Sequence, residues 1–413
     1  MGIARRDEVG QRSETVRRAN LSAIVRELHL SGPLTRSELV AHTGLTRSAI
    51  RGLIGELVSA DIVSEEKAEP LGLPGRPSPV VKPNPTATAV LALDILVDSS
   101  AAALVGLGGV VMEQVRVDRP RGHFGVDEVI AELAELADTV RKRRPDTDPL
   151  IGVGVAVVGM VRRADGFVSM APNLGWRDVA LAARLAEVLG TTAPISIANE
   201  ADLGALAELR RGVSVSAGDV LFISGEVGVG GGLIVGGEAL TGSSGYGGEI
   251  GHMPINPAGL SCRCGSVGCW ETEVGEEALL RRAERPPGGG RQAVDDLLRD
   301  AAAGMPVALL ALEEEGQWLG RGLAGLVNVF NPRQIVLGGL IGRIYPFVAE
   351  LLERELDRLA LPGSRDLVRI VPASLGVDAA LLGAAELAFE PLLNDPGAWI
   401  GPRRAAALLG AGA

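Results

Sequence analysis

A run of prolines between Glu69 and Pro85 constrains the fold of this chain more than any other sequence feature. Six prolines lie in this stretch. Proline lacks the amide hydrogen that a helix needs, and its ring clashes with the preceding turn, so no helix continues through this stretch. We therefore predict a boundary here. A helical pattern precedes it and alternating strands and helices follow it, which places one domain at residues 1–83 and a second at 84–413.

The length and composition of the chain exclude several classes of protein. With 413 residues, 46% hydrophobic and 22% charged, the chain is neither disordered nor fibrous and is long enough for two to four domains. Its first residues are polar and lack the apolar core of a secretory signal. The longest apolar run, Pro149–Val161, is too short to span a bilayer. We therefore expect a cytoplasmic protein with no membrane partner.

The segment before the prolines has the pattern of three short helices. Thr35 and Glu38 form a capping box that starts the second helix, and Thr46 is a suitable N-cap for the third. Apolar side chains at helical spacing supply an inward face on the first and third helices: Leu21, Ile24, Val25 and Leu28, then Ile50, Leu53, Ile54 and Leu57. Two helices joined by a short turn at Gly44 are typical of a helix-turn-helix.

The other face of the third helix predicts contacts with DNA. It presents Arg47, Ser48 and Arg51, which suit the major groove or the phosphates. Up to Pro83 the chain has 12 basic and 10 acidic residues, a net charge of +2, whereas the remainder has a net charge of −13. The alternative is a small helical interaction domain with solvated arginines. We favour DNA binding because the caps and the turn agree with each other.

A wing completes this interpretation. Residues 61–63 and 80–81 are expected to pair as a hairpin, and Arg76 lies between them. Because Arg76 is held between Gly75 and Pro77, it is extended and able to enter a narrow minor groove. The first domain is therefore predicted to be a winged helix-turn-helix with a proline-rich linker.

The second domain is predicted to have an α/β fold of two lobes with a cleft between them. A continuous apolar run over Leu150–Val158 is typical of a strand buried on both faces, and a helix is expected over Asp127–Lys142. The other expected strands are Ala89–Leu96, Ala101–Leu107, Val110–Val117, Val220–Ile223, Gly232–Val235, Ile335–Leu337 and Val368–Val371.

The sequence also predicts a zinc site. Every cysteine of the chain lies within eight residues, at Cys262, Cys264 and Cys269, and His252 is ten residues upstream. Three thiolates and an imidazole fill the tetrahedron that Zn²⁺ prefers and leave no open position, which indicates one structural rather than catalytic ion per chain. The alternative is a chance cluster, which we disfavour because the chain has only four histidines.

Polar side chains near this loop suggest a ligand with many hydroxyl groups. They are Asn173, Asn199, Glu200, Glu249 and Glu271. A sugar hydroxyl is able to donate to a carboxylate and to accept from an amide. Sequence spacing alone does not bring these residues together, so the alternative at this point is a set of surface carboxylates.

Taken together, these residues resemble the ROK family of bacterial sugar-responsive repressors and sugar kinases. The resemblance covers nearly the whole chain, and the helix-turn-helix with Gly75-Arg76-Pro77 looks like the repressor branch. Its most specific parts are Glu249-Ile250-Gly251-His252, the Cys262–Cys269 loop with Glu271, Ala171-Pro172-Asn173-Leu174-Gly175-Trp176, and Asn331-Pro332 before Ile335-Val336-Leu337-Gly338-Gly339.

The resemblance implies a two-lobed, actin-like (ribonuclease-H-like) domain whose lobes are about 84–197 plus a C-terminal helix, and 198–385. It implies that His252 binds zinc through one ring nitrogen and faces a sugar hydroxyl with the other. The sugar-contacting positions of the family correspond here to Asn173, Asn199, Glu200, Glu249, His252 and Glu271.

Three departures from the kinase pattern argue against phosphoryl transfer. Where the kinases have Asp-x-Gly-x-Thr, this chain has Asp94 to Asp98 without the glycine and the threonine. Their second phosphate loop, Gly-Thr-Gly, is replaced by a stretch that contains Glu226, and their catalytic aspartate by Glu200. Added carboxylates repel phosphates, and a longer acid misplaces the base. We therefore expect no enzyme activity.

The function that the sequence predicts is a transcription regulator of carbohydrate metabolism genes, a repressor that responds to a sugar or sugar phosphate bound in the cleft. Its expected partners are operator DNA and its own copies, as a homodimer or homotetramer. The alternatives are an ATP-dependent sugar kinase with a DNA-binding head, and a regulator whose second domain only oligomerises.

Overall fold

The computed structural model describes residues 4–67, 78–122, 124–142, 150–215 and 217–401. Arg76 and the segment from Arg403 onward lie outside the described residues, so the expectations about them stay predictions. Among the described residues, no helix combines the length and the apolar composition that crossing a bilayer requires.

The N-terminal part has the predicted winged helix-turn-helix. The capping box is present, since the Glu38 amide donates to Thr35 Oγ1 at 3.2 Å and the Thr35 amide donates to Glu38 Oε2 at 2.7 Å. Gly44 closes the second helix with φ +70°, a left-handed conformation that suits glycine. The wing strands pair antiparallel, but the first begins at Val63, where the predicted strand 61–63 ends, because Asp61 has φ +57° and belongs to the turn. The elements are α1 (Ala4–Ser31), β1 (Leu34–Thr35), α2 (Arg36–Thr43), α3 (Arg47–Ser59), β2 (Val63–Glu66) and β3 (Val80–Pro83).

The next elements form the first α/β lobe. They are β4 (Ala89–Ile95), β5 (Ser99–Gly106), β6 (Val110–Asp118), α4 (Val126–Arg141), β7 (Val153–Val157), β8 (Met160–Arg162), β9 (Phe167–Ala171), β10 (Trp176–Val179), α5 (Leu181–Leu189), β11 (Ile195–Asn199) and α6 (Glu200–Arg211). The main sheet has the order β11-β7-β4-β5-β6, and β8, β9 and β10 form a small second sheet. Every residue of β4, β5 and β7 is buried, which explains the continuous apolar runs in the sequence.

The second lobe is also built on a five-stranded sheet, in the order β14-β13-β12-β15-β16. Its elements are β12 (Val220–Gly225), β13 (Val229–Val235), β14 (Glu238–Ala239), α7 (Trp270–Glu273), α8 (Glu276–Arg282), α9 (Gly290–Ala302), α10 (Pro306–Phe330), β15 (Gln334–Gly338), α11 (Gly339–Leu359), α12 (Pro362–Arg365) and β16 (Arg369–Pro372). The predicted strands are present in both lobes, with ends that differ from the predicted ones by at most three residues.

The last described long helix, α13 (Ala379–Asn394), returns to the sheet of the first lobe. Helix α13 packs so closely on β7 that a Cβ on Gly154 would lie 1.8 Å from the Ala384 carbonyl oxygen. Phe389 and Leu392 of α13 share one buried core with Leu28 of α1. The winged helix-turn-helix and the first lobe are therefore joined by packed side chains as well as by the linker.

Helix α6 lies between the two lobes. Its Ala201 and Ala205 pack with Phe222 of the second sheet, whereas its Leu203 and Leu206 belong to the core that α13 completes. Division of the second domain into 84–197 and 198–385 stays a prediction, and α6 contacts both sides of that limit.

Candidate functional site

A cavity opens between the two lobes. All six positions that the sequence analysis proposed for sugar contacts line it: Asn173, Asn199, Glu200, Glu249, His252 and Glu271. Met160 and Met170 contribute an apolar wall that the sequence analysis did not identify. Amides and carboxylates opposite an apolar wall suit a ligand that carries both hydroxyl groups and C–H faces.

The ends of strands and helices position these side chains. Asn199 is the last residue of β11 and the N-cap of α6, since its Oδ1 accepts from the Ala201 amide at 2.7 Å. Its side-chain amide donates to the Gly159 carbonyl at 3.0 Å, which fixes its orientation. Glu200 follows as the first residue of α6, so its carboxylate stands where a helix N-terminus favours negative charge.

Four side chains from one loop region converge on a candidate metal site. The ligand atoms of His252, Cys262, Cys264 and Cys269 all lie within 4.8 Å of one another. His252 Nδ1 lies 3.7 Å from Cys262 Sγ, and Cys264 Sγ lies 3.7 Å from Cys269 Sγ. The set fits the tetrahedral Cys₃His coordination of Zn²⁺. Burial raises the pKa of the Cys262 and Cys269 thiols, so binding of zinc would release protons.

Backbone contacts hold the loop closed around these ligands. The Cys262 amide donates to the Ser266 carbonyl at 2.8 Å, and the Gly265 amide donates to the Cys262 carbonyl at 3.0 Å. Gly268 has φ +67°, and a Cβ there would lie 1.7 Å from the Asn256 carbonyl oxygen. Only glycine fits at this position, immediately before Cys269.

His252 connects the candidate metal site with the cavity. Its Nδ1 faces Cys262 and lies 3.6 Å from Glu271 Oε1, while its Nε2 lies 4.0 Å from Glu249 Oε2. One ring nitrogen therefore faces the thiols and the other faces Glu249 in the cavity lining. A metal on Nδ1 would fix the tautomer and orientation of the ring.

The cavity has a strongly acidic lining. Burial raises the pKa of Glu200 to about 8, against an opposing hydrogen bond from the Ala201 amide. Burial also raises the pKa of Glu249, which the nearby His252 partly offsets. Two residues further along α6, burial raises the pKa of Asp202 to about 7. Each neighbouring carboxylate adds to the cost of ionising the next.

Ion pairs occupy the end of the cleft that the family resemblance assigns to the phosphates of ATP. Asp98 lies 3.5 Å from Arg291 of α9 and 3.5 Å from Arg121. Arg291 also lies 3.9 Å from Glu226, and Arg121 pairs with Glu276 of α8. Arg121 and Arg291 thus link the two lobes. No sequence motif marks either arginine, so the sequence analysis missed them.

An arginine of the cysteine loop contacts one residue of the cavity lining. Arg263 Nη1 donates to Asn173 Oδ1 at 2.8 Å, and Nη2 donates to Glu277 Oε1. Its place between Cys262 and Cys264 is a signal that sequence analysis could have used, because the ligands fix that loop beside the cleft. Arg263 thereby orients the side-chain amide of Asn173.

The predicted DNA-binding residues that the structure describes are exposed on α3. Arg47, Ser48 and Arg51 point away from the head's core, in which Ile50, Leu53, Ile54 and Leu57 are buried. Arg17 Nε of α1 donates to Glu56 Oε1 of α3 at 3.3 Å and ties the two helices together.

Comparisons with known proteins agree with this architecture. A sequence model described as the ROK family matches residues 90–390. The xylose repressor of Bacillus spizizenii is 28% identical over 387 residues, which cover 92% of this chain and 97% of the repressor.

Two solved structures also match. A ROK family transcriptional regulator, described as a homologue of the MLC protein of E. coli, has a TM-score of 0.76 and 25% identity, and covers 94% of this chain and 99% of its own. A ROK family glucokinase from Streptomyces griseus, in complex with glucose and AMPPNP, has a TM-score of 0.64 and 27% identity, and covers 72% of this chain and 98% of its own. Since the family model spans most of the residues of the two lobes, the chain belongs to the ROK family.

Proposed function

We propose that this protein is a sugar-responsive transcriptional repressor of carbohydrate metabolism genes. The observation that carries the proposal is the presence, on one chain, of a winged helix-turn-helix and an interlobe cavity lined by amides and carboxylates. Similarity to the xylose repressor and to the ROK transcriptional regulator extends over both parts. Similarity to the glucokinase covers a smaller share of the chain.

For DNA binding, α3 would enter the major groove. Arg47, Ser48 and Arg51 would contact base edges or phosphates, and Arg76 the minor groove. A helix-turn-helix reads two half-sites about one helical turn apart, so the protein would bind its operator as a homodimer or a homotetramer.

For the effector, the cavity supports an uncharged sugar more than a sugar phosphate. Its described lining includes five carboxylates, of Asp98, Glu200, Glu226, Glu249 and Glu271, and neither Lys nor Arg. Of these, Asp98 and Glu226 lie beside Arg291, and Glu200 has a pKa of about 8, so it is mostly protonated at pH 7. The carboxylates of Glu249 and Glu271 would repel a phosphate dianion, whereas hydroxyl groups would donate to them. D-xylose is the first sugar to test, given the name of the relative from B. spizizenii.

For the metal, His252, Cys262, Cys264 and Cys269 would hold one zinc ion with a structural role. The ion would fix the loop that carries Arg263 and the imidazole that faces Glu249. The effector pocket would then depend on the metal for its shape.

An ATP-dependent sugar kinase with a DNA-binding head is the second candidate. It is favoured by the similarity to the glucokinase. Asp98 and Glu226, already paired with Arg291, argue against it because they stand where phosphates would bind. Incubation with ATP and D-xylose or D-glucose tests this candidate, and turnover clearly above background would favour the kinase.

The test of the proposed function measures operator binding with and without sugar. The operator is identified by testing which DNA fragments from the genomic region around the protein's gene bind the protein. The effector is identified by a thermal-shift screen of D-xylose, D-glucose and their phosphates. We expect a free sugar to stabilise the protein and to weaken operator binding. Glu249→Ala should abolish the sugar response and leave operator binding intact, whereas Glu313→Ala, at the surface of α10, should change neither. An unchanged response in Glu249→Ala would contradict the assignment of the pocket.

A further inference from the structure

A buried polar cluster joins the DNA-binding head to the lobes. It consists of His29 near the end of α1, Glu386 of α13 and Arg211 at the end of α6, with the turn at Gly108. His29 is fully buried and Glu386 is 5% exposed. We call these three side chains the head–lobe cluster.

The hydrogen bonds of the head–lobe cluster leave little freedom for movement of one part alone. Arg211 Nε donates to Glu386 Oε1 at 2.8 Å, and Arg211 Nη1 donates to the His29 carbonyl at 2.8 Å and to the Gly108 carbonyl at 3.2 Å. The Gly108 amide donates to His29 Nδ1 at 3.1 Å. This leaves His29 Nε2 facing Glu386 Oε2 at 2.9 Å and Arg211 Nη2 at 2.7 Å. One guanidinium therefore contacts the head, α13 and the β5–β6 turn together.

The helix that carries Arg211 begins in the candidate effector site. Asn199 caps α6 and Glu200 is its first residue, and both line the cavity. The rise of an α-helix places Arg211 about 16 Å from Glu200 along the axis. A shift or rotation of α6 at the cavity would therefore move the guanidinium at its other end, because a helix of this length behaves as a rigid element.

On the head side, a displacement at His29 would reach the DNA-binding surface. Leu21, Ile24 and Leu28 of α1 pack in the same core as Ile50 and Ile54 of α3. Arg17 of α1 also donates to Glu56 of α3. Since these contacts fix α3 relative to α1, the exposed arginines of α3 would follow α1.

We infer that Arg211 is the positioning residue that couples the effector cavity to the DNA-binding head, with α6 as the connecting element. This inference rests on the proposed function, since it needs a sugar that changes operator affinity. It assigns to Arg211 a role in transmission, distinct from sugar binding and from DNA binding. Two sites are coupled when each biases one element that has two positions.

The test compares Arg211→Lys with Arg210→Lys. Lysine keeps the charge at 211 but cannot bond Glu386, the His29 carbonyl and the Gly108 carbonyl in the same planar geometry. Arg210 provides the matched control, because it lies one residue earlier in a separate cavity beside Glu390. Operator affinity is measured with and without D-xylose or D-glucose, whichever shifts the melting temperature of the wild type, and sugar affinity is measured by calorimetry.

Allosteric coupling of this kind typically changes affinity by about 5–150-fold. The quantity compared is the ratio of operator affinity without sugar to operator affinity with sugar. We expect Arg210→Lys to retain the wild-type ratio. We expect Arg211→Lys to bind the sugar and to bind the operator, but to show a ratio below about twofold. A merely structural role of Arg211 would lower both affinities or the melting temperature without removing the response. A full response in folded Arg211→Lys would overturn the inference.

Hydrogen–deuterium exchange of the wild-type protein keeps the inference testable if Arg211→Lys fails to fold. Addition of the sugar should change the exchange of amides at residues 27–32 and 106–109, besides those of the cavity. A sugar that weakens operator binding without altering exchange at these two segments would refute the coupling route. A wild type that responds to no sugar would instead refute the proposed function, so the two failures are distinguishable.

Discussion

Removal of the negative charge of Glu386 should destabilise the protein far more than removal of a surface carboxylate. Burial alone would raise the pKa of this carboxyl group, but the hydrogen bonds with His29 and Arg211 and the positive charge of Arg211 lower it to about 2. A carboxyl group whose pKa is lower in the folded than in the unfolded chain stabilises the folded state. Glu386→Gln keeps the size of the side chain and removes this contribution.

The magnitude follows from the difference between the ordinary pKa of 4.5 and the folded value of about 2. At about 1.4 kcal/mol per pKa unit, ionised Glu386 contributes about 3 kcal/mol at pH 7. The contribution is present above the unfolded pKa and is lost as the pH falls towards 2, so it is about 2 kcal/mol at pH 3.5. A loss of about 3 kcal/mol also agrees with the typical cost of breaking a buried ion pair.

Urea unfolding of the wild type and of Glu386→Gln at pH 7 and pH 3.5 measures this difference. Glu353→Gln is the matched control, since the carboxylate of Glu353 pairs with Arg365 and is 43% exposed. The control should change the free energy of unfolding by less than about 1 kcal/mol. A loss below about 1 kcal/mol in Glu386→Gln at pH 7, or a difference that grows on acidification, would refute the reasoning.

Three further predictions concern the metal, the buried acid of α6 and the DNA surface. Metal analysis of purified protein should give one zinc per chain, and a strong chelator should lower the melting temperature and abolish any sugar-induced shift; a content far below one would count against the site. Burial raises the pKa of Asp202 to about 7, so its protonated side chain stabilises the folded state. This contribution is fully present below the unfolded pKa of 3.8 and is lost as the pH rises through 7. Asp202→Asn should therefore gain stability relative to the wild type between pH 4 and 8, as thermal unfolding across that range would show. Arg51→Ala should weaken operator binding and reduce the salt slope by about one if Arg51 contacts a phosphate, whereas Arg299→Ala on α9 should not; equal gel shifts for both variants would contradict the DNA assignment.

Local chemistry allowed much of the head to be predicted from the sequence. The capping box of Thr35 and Glu38, the N-cap at Thr46 and the apolar stripe of α3 are contacts within a few residues, and each is present. The strands of the lobes were predictable for a similar reason, because a continuous apolar run is typical of a strand buried on both faces.

Long-range pairing limited the prediction of the site. The convergence of Asn173 with Glu249 and Glu271 came from the resemblance, because spacing along the chain does not reveal it. Arg121 and Arg291 stayed unnoticed, since their partners lie on other elements and no local pattern distinguishes them from solvated arginines. The same holds for His29, whose partner Glu386 is 357 residues away.

The return of α13 to the start of the chain has a consequence for biosynthesis. On the ribosome, the head emerges first, but one side of α1 stays uncovered until Phe389, Leu392 and Leu393 have been made. Nascent or prematurely terminated chains that lack α13 would therefore expose apolar side chains of α1 and leave His29 without Glu386. The winged helix-turn-helix therefore gains its contacts with α13 only after most of the second domain has been made.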